Sequence, residues 1–258
     1  MKALGVIPSR IGSTRLPGKP LADIKGRSLV ERVWQQASQA NCFERVIVAT
    51  DSEQIVKLCD SFGAQAMMTS ESHESGTDRV CEVANRLEAE GEKYDIITNI
   101  QGDLPFIAPE LIARITKKLH ESPREIGMTT AATPITSQEE FNRDSIVKIV
   151  LDKDNCALYF SRAKIPSPRD DNQARDQEKE TQNNTPLGLM HFGIYSYRPS
   201  VLKMISQLEP VMLEKKEKLE QLRALYHGVK IVVDIVEPNL VHGNIEIDTP
   251  EDLKNANL

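Results

Sequence analysis

Ala3-Leu4-Gly5-Val6-Ile7-Pro8, followed at once by Ser9-Arg10-Ile11-Gly12-Ser13-Thr14-Arg15-Leu16-Pro17-Gly18-Lys19-Pro20, decides how this chain is read. The first part is an apolar β-run, and the second is a loop that mixes glycines, hydroxyls and cations. Glycine lets a backbone approach a ligand closely, while hydroxyls and exposed amides hydrogen-bond phosphate oxygens. Arg10, Arg15 and Lys19 add positive charge in an otherwise acidic chain. We read Arg10, Gly12, Ser13, Thr14, Arg15 and Lys19 as a triphosphate cradle, with a solvated basic loop as the plainer alternative. The loop is neither a GxGxxG dinucleotide turn nor a GxxxxGK[ST] P-loop, because proline follows Lys19. That argues against a dehydrogenase or an ATPase.

Outward from this stretch, strand and helix patterns alternate. Arg45 to Thr50, Ala64 to Met68 and Tyr94 to Ile100 read as strands, and Ser28 to Ala40, Glu53 to Phe62 and Asp78 to Glu90 as helices. The alternation predicts an α/β fold with a mostly parallel sheet covered on both faces. Such sheets bind ligands beyond the carboxyl ends of their strands. Chemistry is therefore expected at Ser9 to Lys19, Thr50-Asp51, Thr69 to Arg79 and Gln101 to Pro105. After about residue 127 the pattern changes. Met128 to Ile135, Ile146 to Leu151, Cys156 to Ser161 and Leu189 to Tyr197 read as strands with little helix between them. They predict an antiparallel extension packed beside the first half and offering a dimer edge. Asp170 to Pro186 reads as a mobile polar loop, with a substrate lid as the alternative. Helices are expected at Val201 to Leu208 and Leu213 to Tyr226, and a strand at Lys230 to Glu237. Thr249-Pro250-Glu251-Asp252 carries the cap, N1 proline and acidic first turn of a last helix.

With 258 residues, 40% of them hydrophobic, the chain can bury a sizeable core. Its net charge of -6 argues against bulk attraction to nucleic acid or anionic lipid but leaves room for a local basic pocket. No run approaches the ~18 apolar residues of a membrane span. Met1 also leads into Lys2-Ala3-Leu4 without a cleavable apolar signal, so a cytoplasmic protein is expected, without membrane or nucleic-acid partners. Cys42, Cys59, Cys81 and Cys156 form no CxxC and read as buried, reduced thiols.

Two carboxylates stand out. Asp103 follows a strand at a glycine-containing turn, and Asp248 sits at the mouth of the last helix, so both can reach a ligand at the carboxyl edge of the sheet. Oxygen ligands of this kind suit magnesium, which takes one or two protein carboxylates and completes its shell with phosphate and water. A turn residue and a helix-cap neighbour are the respective alternatives. The four-residue spacing of His191 and Tyr195 on a strand puts them on one face, which a polar-tipped core face explains as well as a ligand site. Glu220 on its charged helix has Lys216 as an i-4 neighbour, the pattern of a solvated ion pair.

The motifs taken together resemble the 3-deoxy-manno-octulosonate (Kdo) cytidylyltransferase family. Ser13-Thr14-Arg15-Leu16-Pro17-Gly18-Lys19-Pro20 carries the resemblance, along with Val48-Ala49-Thr50-Asp51, Ser75-Gly76-Thr77-Asp78-Arg79 and Gln101-Gly102-Asp103. It continues through Ala157 to Arg162, His191 to Tyr195, Leu219 to Arg223 and Asp248 to Leu253, covering nearly the whole chain in the family's order. One departure is that Leu104 stands where relatives usually have glutamate after the aspartate.

The resemblance implies a Rossmann-like nucleotidyltransferase sheet and transfer of CMP from CTP to the anomeric hydroxyl of Kdo, for lipopolysaccharide biosynthesis. It implies Mg2+ on Asp103 and Asp248, with Lys19 and Arg15 assisting catalysis. It also implies an acceptor pocket of Arg79, Gln101, His191, Tyr195, Glu220 and Gln221, and a homodimer. The expected organisation is one domain, with 1–127 and 228–258 as nucleotide- and metal-binding core and 128–227 as sugar-binding and dimerisation subdomain. Another nucleoside triphosphate, an amino-substituted Kdo or a sialic acid would suit the same architecture. The alternative of a different class is a non-catalytic nucleotide-binding module.

Overall fold

In the computed structural model, which describes residues 1–167, 186–241, 243 and 246–258, the opening β-run is strand β1, Ala3–Pro8. β4 (Arg45–Thr50) pairs with one of its edges and β6 (Ile96–Asn99) with the other, both in parallel. A small antiparallel pair, β2 (Asp23–Ile24) and β3 (Arg27–Ser28), stands apart after the first loop. β5 (Gln65–Met68) extends the sheet beyond β4. On the far side follow β7 (Ile126–Ile135), β10 (Gly188–Tyr197) and β11 (Lys230–Ile235), giving the order β11-β7-β10-β6-β1-β4-β5. Along this path only β10 runs against its neighbours. β8 (Lys148–Leu151) and β9 (Ala157–Ser161) form an antiparallel branch from β10.

The sheet is mostly parallel, as the alternation predicts. The antiparallel extension expected beside the first half continues the same sheet through β10, β8 and β9.

Strand residues alternate between two cores. Leu4, Val6, Ile47 and Ala49 face one side, and Ile7 and Val48 the other. On the first side lie α3 (Gly76–Ala89) and α6 (Pro199–Ser206), contributing Val80, Val83, Leu202 and Ile205. On the second lie α1 (Leu29–Gln39), α2 (Glu53–Ser61) and α4 (Pro109–Glu121), contributing Leu29, Val33, Ile55 and Leu111. The spacing Leu29, Val30, Val33, Ala37 makes one apolar stripe on α1, and Ser28 caps its start by accepting from the Glu31 amide at 3.3 Å. α4 is absent from the sequence expectations although Pro109 opens it and Leu111, Ile115 and Leu119 repeat at helical spacing. A short α5, Gln138–Asn142, follows β7.

The single helix expected over Leu213 to Tyr226 is corrected by the structure. It is two helices, α7 (Met212–Glu217) and α8 (Gln221–Tyr226), broken where Lys218 adopts φ 55°. Arg223 folds back onto Glu214 through two hydrogen bonds, one of 2.8 Å from Nε, and this buried ion pair locks the two helices across the break. α9, Pro250–Ala256, opens with the capping box Thr249/Asp252. Residues 170–185 of the polar segment, and Asn244 and Ile245 before Asp248, lie outside the described residues. All four cysteines are free thiols, but only Cys59 and Cys81 are buried; Cys42 and Cys156 are half-buried, which corrects the expectation of four buried thiols.

Candidate active site

The order β6-β1-β4 makes a topological switch point, because the chain leaves β1 toward β4 and β5 and returns to β1's other edge as β6. The loops that follow β1 and β6 meet at this edge, where open α/β sheets bind their ligands. A cavity of about 290 Å³ occupies this edge. Ser9, Arg10, Ser13, Thr14, Arg15 and Lys19 line it, and Arg79, Gln101, Asp103 and Asp248 close it. Gly12 lies on the loop outside this lining.

The loop is held in shape from within. The Ser9 amide continues the β1–β4 ladder to the Ala49 carbonyl at 2.8 Å. The Ile11 amide donates to Asp51 Oδ1 at 3.0 Å. Ser13 Oγ accepts from the Leu16 amide at 3.3 Å, and Leu16 and Pro20 are buried as anchors. Gly18, at φ 67°, makes the left-handed turn that aims Lys19 inward.

Lys19 Nζ lies 2.9 Å from Asp103 Oδ2 and 2.8 Å from Asp248 Oδ1, while Arg15 Nη2 lies 2.9 Å from Asp248 Oδ2. Burial alone would lower the Lys19 pKa. The charges and hydrogen bonds of the two aspartates outweigh it and hold the ammonium above its ordinary value. A cation thus already sits between two hard oxygen ligands. Glu246 adds a nearby carboxyl, which desolvation and then repulsion from Asp103 and Asp248 push up to about 7, although much of its surface is open.

Backbone chemistry explains how Asp103 reaches this point. A Cβ on Gly102 would lie 2.5 Å from the Pro8 carbonyl oxygen, so only glycine allows the β6 turn to lie against the end of β1. The Ile247 amide donates to the Asp103 carbonyl at 3.0 Å and brings Asp248 alongside. Leu104, the residue that departs from the family pattern, is buried in the core with Ile100 and Ile107.

The remaining residues from the sequence analysis separate into two places. Arg79 and Gln101 share the main cavity, but the Arg79 guanidinium is only 3% exposed and donates to Asp51 Oδ2 at 3.0 Å and to Thr69 Oγ1. Tyr195, Glu220 and Gln221 line a second, smaller cavity with Thr77 and Tyr197. His191 sits beside it, with ring centroids 5.5 Å from Tyr195 and 4.9 Å from Phe160. α3 joins the two cavities: Ser75 and Gly76 face the first, while Thr77 Oγ1 donates to Glu220 Oε2 at 2.9 Å in the second.

Glu220 is the N-cap of α8, so the ion pair with Lys216 expected from i-4 spacing is replaced by this bond to Thr77. Burial raises the Glu220 pKa despite that bond, and burial pushes His191 down to about 3. Thr130 Oγ1 donates to the Phe192 or Ile194 carbonyl, which assigns the His191 Nε2–H as donor to Thr130 at 3.0 Å and leaves Nδ1 as an acceptor.

Asp51, Ser9, His73 and Ser75 are site residues that the sequence reading did not single out. All four lay within strand-end segments where chemistry was expected, but no spacing marked any of them individually.

An open, mostly parallel sheet with a cationic first loop facing two aspartates at its switch point is the architecture of a nucleotidyltransferase. The cytidylyltransferase family profile matches residues 4–231. The 3-deoxy-manno-octulosonate cytidylyltransferase 2 of Actinobacillus pleuropneumoniae is 41% identical over 258 residues, covering 100% of this chain and 98% of the relative. The 3-deoxy-manno-octulosonate cytidylyltransferase of Syntrophobacter fumaroxidans is 43% identical over 254 residues, covering 98% and 95%. A solved structure of a CMP:2-keto-3-deoxy-manno-octonic acid synthetase complexed with CTP superposes with TM-score 0.86 at 37% identity, covering 100% of this chain and 97% of that one. The chain belongs to the 3-deoxy-manno-octulosonate cytidylyltransferase family and is an enzyme of the nucleotidyltransferase class.

Proposed function

We propose that the enzyme transfers CMP from CTP to the anomeric hydroxyl of Kdo, releasing pyrophosphate, and that the CMP-sugar serves lipopolysaccharide biosynthesis in the cytoplasm. The observation that carries this reading is the Lys19 ammonium bridging Asp103 and Asp248 at the mouth of a cationic loop. The names and full-length identities of the relatives support the substrate. The sugar hydroxyl attacks the α-phosphorus in line, a new P–O bond forms, the α–β bridge breaks, and the hydroxyl proton is released. Arg10, Ser13, Thr14, Arg15 and Lys19 bind the triphosphate and offset the charge that develops on pyrophosphate.

The two aspartates suit a hard divalent cation, because their oxygens already converge on one positive charge. Asp103 and Asp248 would hold magnesium, which when bound lowers repulsion at the α-phosphate. No cluster of three or more such ligands occurs among the described residues, and a site shared with phosphate and water does not need one.

Gln101 and Arg79 stand where the acceptor would meet the nucleotide. His191 Nδ1, Tyr195, Glu220 and Gln221 supply hydrogen-bonding groups for its hydroxyls. On this reading 1–127 and 228–258 form the nucleotide- and metal-binding core, and 128–227 form the sugar-binding and dimerisation subdomain. A homodimer is supported by the exposure of Leu158 (60%) on β9 and Tyr226 (65%) on α8, two elements that pack together. No described helix is long and apolar enough to cross a membrane.

The test is pyrophosphate release with magnesium, each nucleoside triphosphate in turn, and Kdo. Release with CTP and Kdo alone supports the reading. Release only with another sugar replaces the acceptor, and no release with any acceptor overturns the transfer reaction.

A further inference from the structure

We propose that Glu82 is a positioning residue: its carboxylate, on α3, tethers residues 70–74 and so holds the cavity wall that meets the nucleoside end of CTP. The proposal rests on reading the main cavity as a CTP site. Residues 70–74 join β5 to α3, and their flanks are fastened by other means. Before them, the Thr69 amide and hydroxyl both donate to the Thr50 carbonyl, at 2.7 and 3.0 Å. After them, Ser75 opens α3 in a capping box with Asp78. Between these points, no backbone hydrogen bond joins residues 70–74 to another backbone group among the described residues. Ser70 and Ser72 bond to each other, with 2.7 Å between their hydroxyls.

Glu82 reaches this segment from one helical turn inside α3. Its Oε2 accepts from the Ser70 amide at 2.9 Å and lies 2.5 Å from His73 Nε2, so one oxygen fixes two points of the segment. Its Oε1 accepts from Arg86, which also donates to the Met68 carbonyl at 2.8 Å. Burial alone would raise the Glu82 pKa, but the Ser70 and His73 bonds and the Arg86 charge outweigh it and keep the tether ionised. His73 and Glu74 line the main cavity beside Ser75 and Gly76. The cations of that cavity lie elsewhere: Arg10, Arg15 and Lys19 on the first loop, and Arg79 paired with Asp51. Phosphates therefore follow the first loop. The wall with the Glu74 carboxylate repels them and is left to the nucleoside, whose ribose hydroxyls can donate to it. Without Glu82 the segment loses its tie to α3, and binding CTP must then supply the cost of ordering it.

The experiment is calorimetric titration of wild type, Glu82→Ala and Glu82→Asp with CTP, CMP and inorganic tripolyphosphate, alongside hydrogen exchange and steady-state pyrophosphate release. In Glu82→Ala, affinity for CTP and CMP should fall alike by roughly tenfold, the scale of one hydrogen bond to a charged group. KM for CTP should rise with it, while kcat at saturating CTP stays within about twofold of wild type. The Ser70 amide should exchange faster than in wild type and be slowed again by CTP. Tripolyphosphate binding should stay unchanged. Glu82→Asp keeps a charge for Arg86 but draws the carboxylate back from the segment, so it should shift the same way; if Glu82→Ala does not fold, Glu82→Asp decides. CTP affinity equal to wild type overturns the proposal, as does a loss shared equally by tripolyphosphate or a fall in kcat without a rise in KM. Wild type that binds CTP but releases no pyrophosphate with any acceptor defeats the transfer reading alone, and the binding comparison still decides the role of Glu82. Failure of wild type to bind CTP defeats both.

Discussion

Lys19 is one side chain with two carboxylate partners, and that sharing sets what each substitution should do. Asp103→Asn keeps the shape but removes a charge aimed at the reacting phosphate. Its kcat should fall by about 10²–10³, the scale of losing one electrostatic stabiliser, with CTP affinity within a few-fold of wild type. Lys19→Ala should weaken both, since it deletes a phosphate contact and leaves two carboxylates 2.8–2.9 Å from a missing partner. Steady-state kinetics with parallel CTP titration separates the two cases, and activity equal to wild type in either variant refutes its assigned role. At this scale the sequence reading was strongest for side chains at strand ends. Lys19, Asp103 and Asp248 meet in the structure because strand order brings β1, β6 and the last loop to one edge. Asp51 was less legible. Its role comes from Ile11 and Arg79, which only the fold brings to the same carboxylate.

Among elements, those governed by local chemistry were read nearly to the residue. β1 and β4 match their expected ends, and the cap at Thr249 begins α9 as anticipated. The break between α7 and α8 was hidden because Leu213, Leu222 and Tyr226 keep an apolar pattern, while its cause is the distant Arg223–Glu214 pair and a left-handed Lys218. A left-handed conformation costs a non-glycine residue roughly 1–2 kcal/mol. Lys218→Gly, which removes that strain at the expense of a more flexible unfolded chain, should therefore raise stability by up to about 1 kcal/mol. Urea unfolding of the two proteins measures the difference. A midpoint below wild type would mean that the lysine side chain contributes more than its backbone strain removes. Gly102 makes the complementary case, as a short turn whose lack of a side chain decides where a carboxylate stands.

Across the whole molecule, one sheet links the two cavities, and its only reversed strand on the central path carries the buried imidazole. His191 has a folded pKa of about 3 against an ordinary 6.5, so between those values the unfolded chain binds the extra proton. Its contribution to stability is complete above pH 6.5 and is lost progressively as pH falls toward 3. Glu220, whose pKa is raised, works in the opposite sense. His191→Gln can keep the donor to Thr130 without titrating. Its melting temperature should therefore decline less steeply than that of wild type between pH 6.5 and 4.5, as scanning calorimetry would show, and parallel declines would remove His191 as the source. The cluster at Lys19 has a further consequence in time. Its two aspartates lie 84 and 229 residues away along the chain. During synthesis, β1 and its loop emerge well before the second carboxylate, which arrives 229 residues after Lys19. A nascent chain halted short of residue 248 would already hold most of its hydrophobic faces yet lack half of its anionic pair. Catalytic competence thus waits for residue 248, like a clasp closed after the necklace is strung.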